Sequence, residues 1–249
     1  EAAEAMLAAA KESGKHLQIG FVRRYGNDCA LIQDLVKEGF FGDIYFAKAS
    51  YLRRNGNPEG WFGDKSRSGG GPLYDLGVHV IDLVRYIEGN KKPVSVYGAT
   101  WQKLLNRPNL KTPKAYYSAS RTDHDICDVE DLAVALIRFE DGSVLSVEAS
   151  FSLNIAKGSG AIELFGTKGG VKIAPDFEMY KDINGYMMDM TPAGIRIDES
   201  ACFPGEIGNF VDTILGRTEC RAPAEDGLDI LRILMAVYES ARTGHEVLL

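Results

Sequence analysis

Ser68-Gly69-Gly70-Gly71-Pro72-Leu73-Tyr74-Asp75-Leu76-Gly77-Val78-His79-Val80-Ile81-Asp82-Leu83-Val84-Arg85-Tyr86-Ile87 is the stretch from which the rest of the chain is read. Three glycines and a proline open a helix. Proline suits the first turn, where backbone donors have no intrahelical acceptor, and the glycines before it let backbone approach a ligand closely. From Pro72 the residues sort into two helical faces. Leu76, Val80, Leu83, Val84 and Ile87 form an apolar stripe. Asp75, His79, Asp82 and Tyr86 form a polar one, with a carboxylate one turn before the imidazole and another one turn after it. A carboxylate holds a histidine in one tautomer and raises its pKa, while a helix N-terminus lowers it, so His79 is placed to titrate near neutrality as a general base. A capped helix whose Asp–His pair is only a structural hydrogen bond has the same local pattern.

The motif GGG-x-L-x-D-x-G-x-H-x-x-D is met from Gly69 to Asp82. It resembles the Gfo/Idh/MocA family, the glucose–fructose oxidoreductase and inositol dehydrogenase group. Other segments fall in the order that family shows: the turn from Gly39 to Asp43, Val129-Glu130-Asp131, the Asp141-Gly142 turn, Ile162 to Gly169, and Ala222 to Gly227 leading into a last helix. The resemblance runs through nearly all of the chain. It implies oxidation or reduction of a sugar, cyclitol or related polyol with NAD or NADP, with His79 as catalytic acid/base and Asp75 as its partner at the substrate hydroxyl. It also implies a homodimer or homotetramer built through an open sheet. The family carries a Glu-Lys-Pro motif with a catalytic lysine, and a Rossmann half that binds the dinucleotide, ahead of the point where this sequence begins; neither lies within it. Ala2 to Phe21 resembles the last helix and strand of that half. The expectation is therefore that residue 1 truncates a longer protein, that residues 1–22 are a remnant of the dinucleotide-binding domain, that residues 23–249 form the substrate and oligomerisation domain, and that this chain alone is inactive. A non-catalytic binding or oligomerisation module on the same scaffold is the rival reading, favoured by the missing half and opposed by the retained Asp75 and His79.

The chain has 249 residues, 45% hydrophobic and 25% charged, which suits a soluble globular fold. Its net charge of −7 and the lack of a dense basic run make nucleic acid and anionic membranes poor partners. No stretch approaches the roughly 18 uninterrupted apolar residues of a membrane span. Four scattered cysteines, at 29, 127, 202 and 220, show no CxxC pairing and read as reduced thiols of a cytoplasmic protein. His124 to Asp131 is dense in ligand-type side chains, but it lacks a zinc spacing, so no metal is expected.

Helical spacing places helices at residues 1–11, from Asn27 or Asp28 to Gly39, at 206–215 and at 224–242. Strands are read at 16–22, 44–53, 93–103, 131–139, 143–151, 162–165 and 170–173, with weaker ones over 177–190 and 194–197. Asp141-Gly142 marks a hairpin. The architecture expected is α+β: a mostly antiparallel open sheet of about six strands covered on one face by helices, preceded by the last helix and strand of a Rossmann domain. Arg23, Arg24 and Tyr25 follow a strand and are placed to reach either a substrate hydroxyl (Arg23, Tyr25) or a cofactor phosphate (Arg24), a solvated strand end being the plain alternative. Trp61 lies in a loop flanked by cations and is a candidate to cover a polyol ring; Arg67 is a candidate toward the cofactor, and Asp82 toward substrate. The long polar loop over residues 106–128 is expected at the mouth of the site or at a subunit contact.

Overall fold

The computed structural model describes all residues except 115, 195, 196, 198 and 199. The chain runs α1 (Ala2–Ser13), α2 (Asn27–Lys37), β1 (Ile44–Leu52), α3 (Lys65–Ser68), α4 (Val78–Ile87), β2 (Pro93–Trp101), β3 (Leu132–Phe139), β4 (Val144–Ser150), β5 (Ser159–Gly166), β6 (Gly170–Ala174), β7 (Glu178–Ile183), β8 (Tyr186–Met190), α5 (Cys202–Ile214), α6 (Ala224–Thr243) and β9 (Val247–Leu248). The strands form one sheet in the order β8-β7-β6-β5-β1-β4-β3-β2-β9. Every pairing is antiparallel except β1 with β4. The chain leaves β1, crosses one face as α4, and returns through β2 and β3 to lay β4 alongside β1.

Turn chemistry fixes the register. At β3–β4, Gly142 takes φ 87° and the Asp141 carboxylate accepts from the Ser143 backbone at 2.9 Å. At β7–β8, Asn184 and Gly185 both take positive φ, 54° and 82°. The expected single strand over 177–190 is therefore a two-stranded hairpin, and among the described residues the sheet has nine strands rather than about six. The weak strand over 194–197 lies partly outside the described residues. The expected strand over 16–22 makes only an isolated bridge, Gln18 to Pro223, and passes into a 3-10 turn over Val22–Tyr25. An extended segment without a neighbouring ladder cannot satisfy its backbone as a strand.

Alternation along the strands sends Ala133, Ala135, Ile137, Leu145 and Val147 inward, where they meet Ile81, Leu83 and Val84 of α4 and Val237 of α6. Each fully buried aliphatic side chain contributes about 1.5–3 kcal/mol. The opposite face holds no helix among the described residues, and Tyr97, Trp101 and Leu136 stand there 40–50% exposed. Helix α1 buries no residue and touches the body through α6, with Lys11 3.0 Å from Glu225.

Candidate active site

The glycine run is held by the protein itself. The buried Glu130 carboxylate, just before β3, accepts from the Gly71 backbone at 2.9 Å, the Leu73 backbone at 3.2 Å and the Tyr238 hydroxyl of α6 at 2.7 Å. It satisfies donors at a helix start that would otherwise lack partners. A β-carbon at Gly70 would strike the Tyr238 hydroxyl, and one at Gly71 the Glu130 carbonyl oxygen. The close approach that requires these glycines is thus to Glu130 and Tyr238, not to a ligand as the sequence suggested. Glycine spacing shows that something comes near; it does not show what.

Leu73–Gly77 is one wide π-helical turn leading into α4. Such turns re-aim side chains and cluster at functional sites. Here the polar stripe divides in two. Asp75 and His79 lie half-buried on one side. His79 lines a cavity of about 480 Å³ with Arg23, Tyr51, Val80 and Gly160. Arg53, at the end of β1, comes within 3.4 Å of the Asp75 carboxylate. Burial pushes the Asp75 carboxyl up, against the pull of Arg53 and His79. Burial pushes the His79 ring down; Asp75 opposes this, and the Arg23 and Arg53 cations reinforce it. Burial and the two cations thus favour the neutral imidazole, the form that can accept a proton.

Asp82 and Tyr86 serve the other half of the stripe. Asp82 is 1% exposed, so it does not face the cavity as a substrate ligand. Its two oxygens take the Arg24 guanidinium, Nη2 at 2.6 Å and Nε at 3.0 Å. Arg24 also reaches Asp226 at 2.6 Å and the Arg221 carbonyl, and its guanidinium lies against the Phe21 and Tyr86 rings. Burial opposes the Arg24 charge, and the two carboxylates more than offset it. Burial likewise drives the Asp82 carboxyl up, to about 6, against the pull of Arg24, and the negative charge of Asp226 adds to the rise. The expected cofactor role of Arg24 is replaced by a structural one: its guanidinium is consumed inside the protein.

The other expected residues separate in the same way. Arg23 stays at the cavity, 2.8 Å from Asp28. Tyr25 is buried and donates to Asn209 of α5 at 3.1 Å, so its hydroxyl is spent away from the cavity. Trp61 stacks on Phe62 at 4.1 Å, and Arg67 is exposed on α3; neither lines the cavity beside His79. In the acid-rich loop, Asp125 accepts from Gly60, Asp128 from Lys65 at 2.7 Å, and Asp131 from three consecutive amides, at Lys103, Leu104 and Leu105. These carboxylates anchor loops, and among the described residues no group of three or more His, Cys, Asp or Glu gathers as a metal site. Sequence reading did not single out Arg53 or Glu130 as functional. Their partners lie 22 to 108 positions away. The visible signals were an arginine pair ending a strand and an acid entering an apolar one.

For a nicotinamide cofactor, the cavity beside His79 has room for a ring-sized reactive end. With Arg24 buried, the sequence-nominated phosphate ligand is not available, so these residues fit only that end of the cofactor.

The model of the GFO/IDH/MocA C-terminal domain matches residues 29–172. The chain is 33% identical over 250 residues to the D-glucoside 3-dehydrogenase of Escherichia coli (strain K12), an alignment covering 99% of this chain and 68% of that protein. It is 33% identical over 112 residues to scyllo-inositol 2-dehydrogenase (NADP(+)) of Bacillus subtilis (strain 168), covering 45% of this chain and 30% of that one. The crystal structure of aldose-aldose oxidoreductase from Caulobacter crescentus complexed with glycerol superposes with a TM-score of 0.78 at 26% identity, over 99% of this chain and 68% of that one. These relatives are sugar and inositol oxidoreductases, and the chain spans about two thirds or less of their lengths. A family model matched over more than half of the sequence, and a relative aligned along almost all of it, show that the chain belongs to the Gfo/Idh/MocA family of oxidoreductases.

Proposed function

We propose that the protein, in its full-length form, oxidises or reduces a hydroxyl-bearing carbon of a sugar, cyclitol or related polyol. The observation that carries this reading is a half-buried His79 on the wall of a cavity, with Asp75 one turn before it. In the oxidising direction a nitrogen of His79 takes the hydroxyl proton as the C–O bond becomes a carbonyl, and Asp75 stabilises the imidazolium that forms. Burial favours the unprotonated resting imidazole, and Arg23 and Arg53, which border the reacting pair, add to that. NAD or NADP, when bound, supplies the hydride acceptor or donor. We assign residues 1–22 to the end of a dinucleotide-binding domain and 23–249 to the substrate domain, a division supported by the two-thirds span of the glucoside dehydrogenase. Catalysis in this reading also draws on the lysine of the preceding domain.

A second reading, a scaffold without catalysis, is favoured by one observation: the arginine nominated for the cofactor phosphate is consumed by Asp82 and Asp226. Calorimetry with NAD and NADP on this chain and on the full-length protein, followed by a screen of sugars and inositols for nicotinamide reduction, separates the two. Cofactor binding with turnover of at least one polyol supports the dehydrogenase; no turnover across the panel leaves the scaffold.

The uncovered sheet face, with Tyr97, Trp101 and Leu136, supports a homodimer or homotetramer joined through it; a clean monomer by light scattering at micromolar concentration would remove that proposal. Among the described residues no helix is long and apolar enough to cross a membrane. Cys29, Cys127 and Cys220 are free thiols, which supports a cytoplasmic setting.

A further inference from the structure

A second cavity adjoins the one at His79. It measures about 340 Å³ and is lined by Arg53, Arg54, Asn55, Lys114, Tyr116 and Gly158, among others. The two lie end to end along the same pair of strands. Ser50 and Tyr51 of β1 and Gly160 of β5 border the first; Arg53, Arg54 and Gly158 border the second. In the β1–β5 ladder Tyr51 pairs with Gly160 and Leu52 with Ser159, so a single rung divides them. Two residues along a strand span about 7 Å, a distance that neighbouring rings of one ligand can bridge. Arg53 links the two: it lines the second cavity, lies over the Tyr51 ring of the first at 5.4 Å, and reaches Asp75 at 3.4 Å.

The lining is built for hydroxyl groups rather than for charge. Lys114 is fixed by the Asn57 carbonyl at 2.9 Å, Glu59 at 2.9 Å and Asn106 at 2.7 Å. Arg54 is braced on the carbonyls of Ile155 and Ala156, and Arg53 on Asp75. Asp75 lies against Arg53, and Glu59 is shared between Lys114 and Arg121, so these donors are held in place by protein acceptors rather than left free to converge on an anion. What faces the space is a set of braced donors, two of them planar guanidinium groups, and the ring of Tyr116, which is 61% exposed. An accessible aromatic face beside fixed donors suits a sugar ring, apolar on its C–H face and polar at its rim.

We propose that this cavity is a subsite for a second, neutral sugar ring, so that the substrate is a glycoside of at least two rings: the ring at His79 reacts while the other rests on Tyr116. This rests on the polyol dehydrogenase reading and adds the substrate class to it. The test uses the full-length protein and two readouts. The first is calorimetric binding of glucose, cellobiose, maltose and glucose 6-phosphate to wild type and to Tyr116→Ala. One of the disaccharides should bind about tenfold more tightly than glucose, and Tyr116→Ala should abolish most of that preference. The second is the ratio of kcat/KM for that disaccharide to kcat/KM for glucose, which should fall about tenfold in Tyr116→Ala through KM rather than kcat. Tyr116 is exposed, so the variant should melt with wild type. Equal binding of glucose and both disaccharides, an unchanged ratio in the variant, or tightest binding of glucose 6-phosphate would overturn the subsite. A disaccharide preference lost in Tyr116→Ala, with no oxidation of any sugar, would instead leave the subsite standing and remove the dehydrogenase reading.

Discussion

Replacing Asp82 with Ala should unfold the protein more easily rather than weaken its hold on substrate. Asp82 is 1% exposed and meets Arg24 through two bonds, at 2.6 and 3.0 Å. Without it, Arg24 stays buried with Asp226 and one carbonyl as its remaining acceptors. Removing one partner of a buried pair costs about 3–5 kcal/mol, chiefly because the other charge is left unmatched. Asp82 itself pays for burial, as its carboxyl rising to about 6 shows, and Asp226 remains, so the lower end of that range applies. About 3 kcal/mol corresponds to a fall in Tm of about 6–12 °C for a chain of this size. Urea and thermal unfolding followed by circular dichroism measure it. An Arg24→Met, Asp82→Leu double variant should recover part of the loss, since no buried cation is then stranded and the carboxylate left behind, Asp226, keeps some access to solvent. A loss below about 1 kcal/mol, with a raised KM for polyol in the full-length protein, would refute the reasoning and return Asp82 to the substrate site.

Glu130→Ala removes the acceptor for the Gly71 and Leu73 amides and the Tyr238 hydroxyl; it should cost about 2–3 kcal/mol in urea unfolding and lower kcat, since that carboxylate anchors the turn carrying Asp75. Gly71→Ala drives a β-carbon against the Glu130 carbonyl oxygen and should cost about 1–3 kcal/mol in the same assay. Arg53→Ala takes away a cation that lowers both the Asp75 carboxyl and the His79 ring. Both should then titrate higher, so the acid limb of kcat/KM against pH, where His79 must be unprotonated, moves to higher pH; an unmoved limb would show that Arg53 does not govern the pair.

Much of the fold was legible because its signals are local. Asp141-Gly142 marks a hairpin at sight, and Pro223 with Glu225, Asp226 and Gly244 brackets α6. Asn184-Gly185 carried an equally strong turn signal, and overlooking it merged β7 with β8. The segment over 16–22 looked like a strand by composition, but ladder formation depends on neighbours that composition does not supply. At the site, helical spacing found Asp75 and His79 and put Asp82 on the same stripe. The wide turn over Leu73–Gly77 and the position of Arg24, 58 residues before Asp82, decide that Asp82 points into the protein. The same holds for Tyr25, whose partner Asn209 lies 184 positions away. Residue type and period report which side chains share a face; which face meets the cavity depends on contacts far apart in sequence.

The most direct measurement is the rate of polyol-dependent nicotinamide reduction by the full-length protein carrying His79→Ala, with substrate and cofactor binding measured alongside. A general base on the cavity wall predicts a fall in kcat of about 10²- to 10⁴-fold with both ligands still bound. A variant that turns over at the wild-type rate would contradict the account, leaving His79 as a structural part of the helix start.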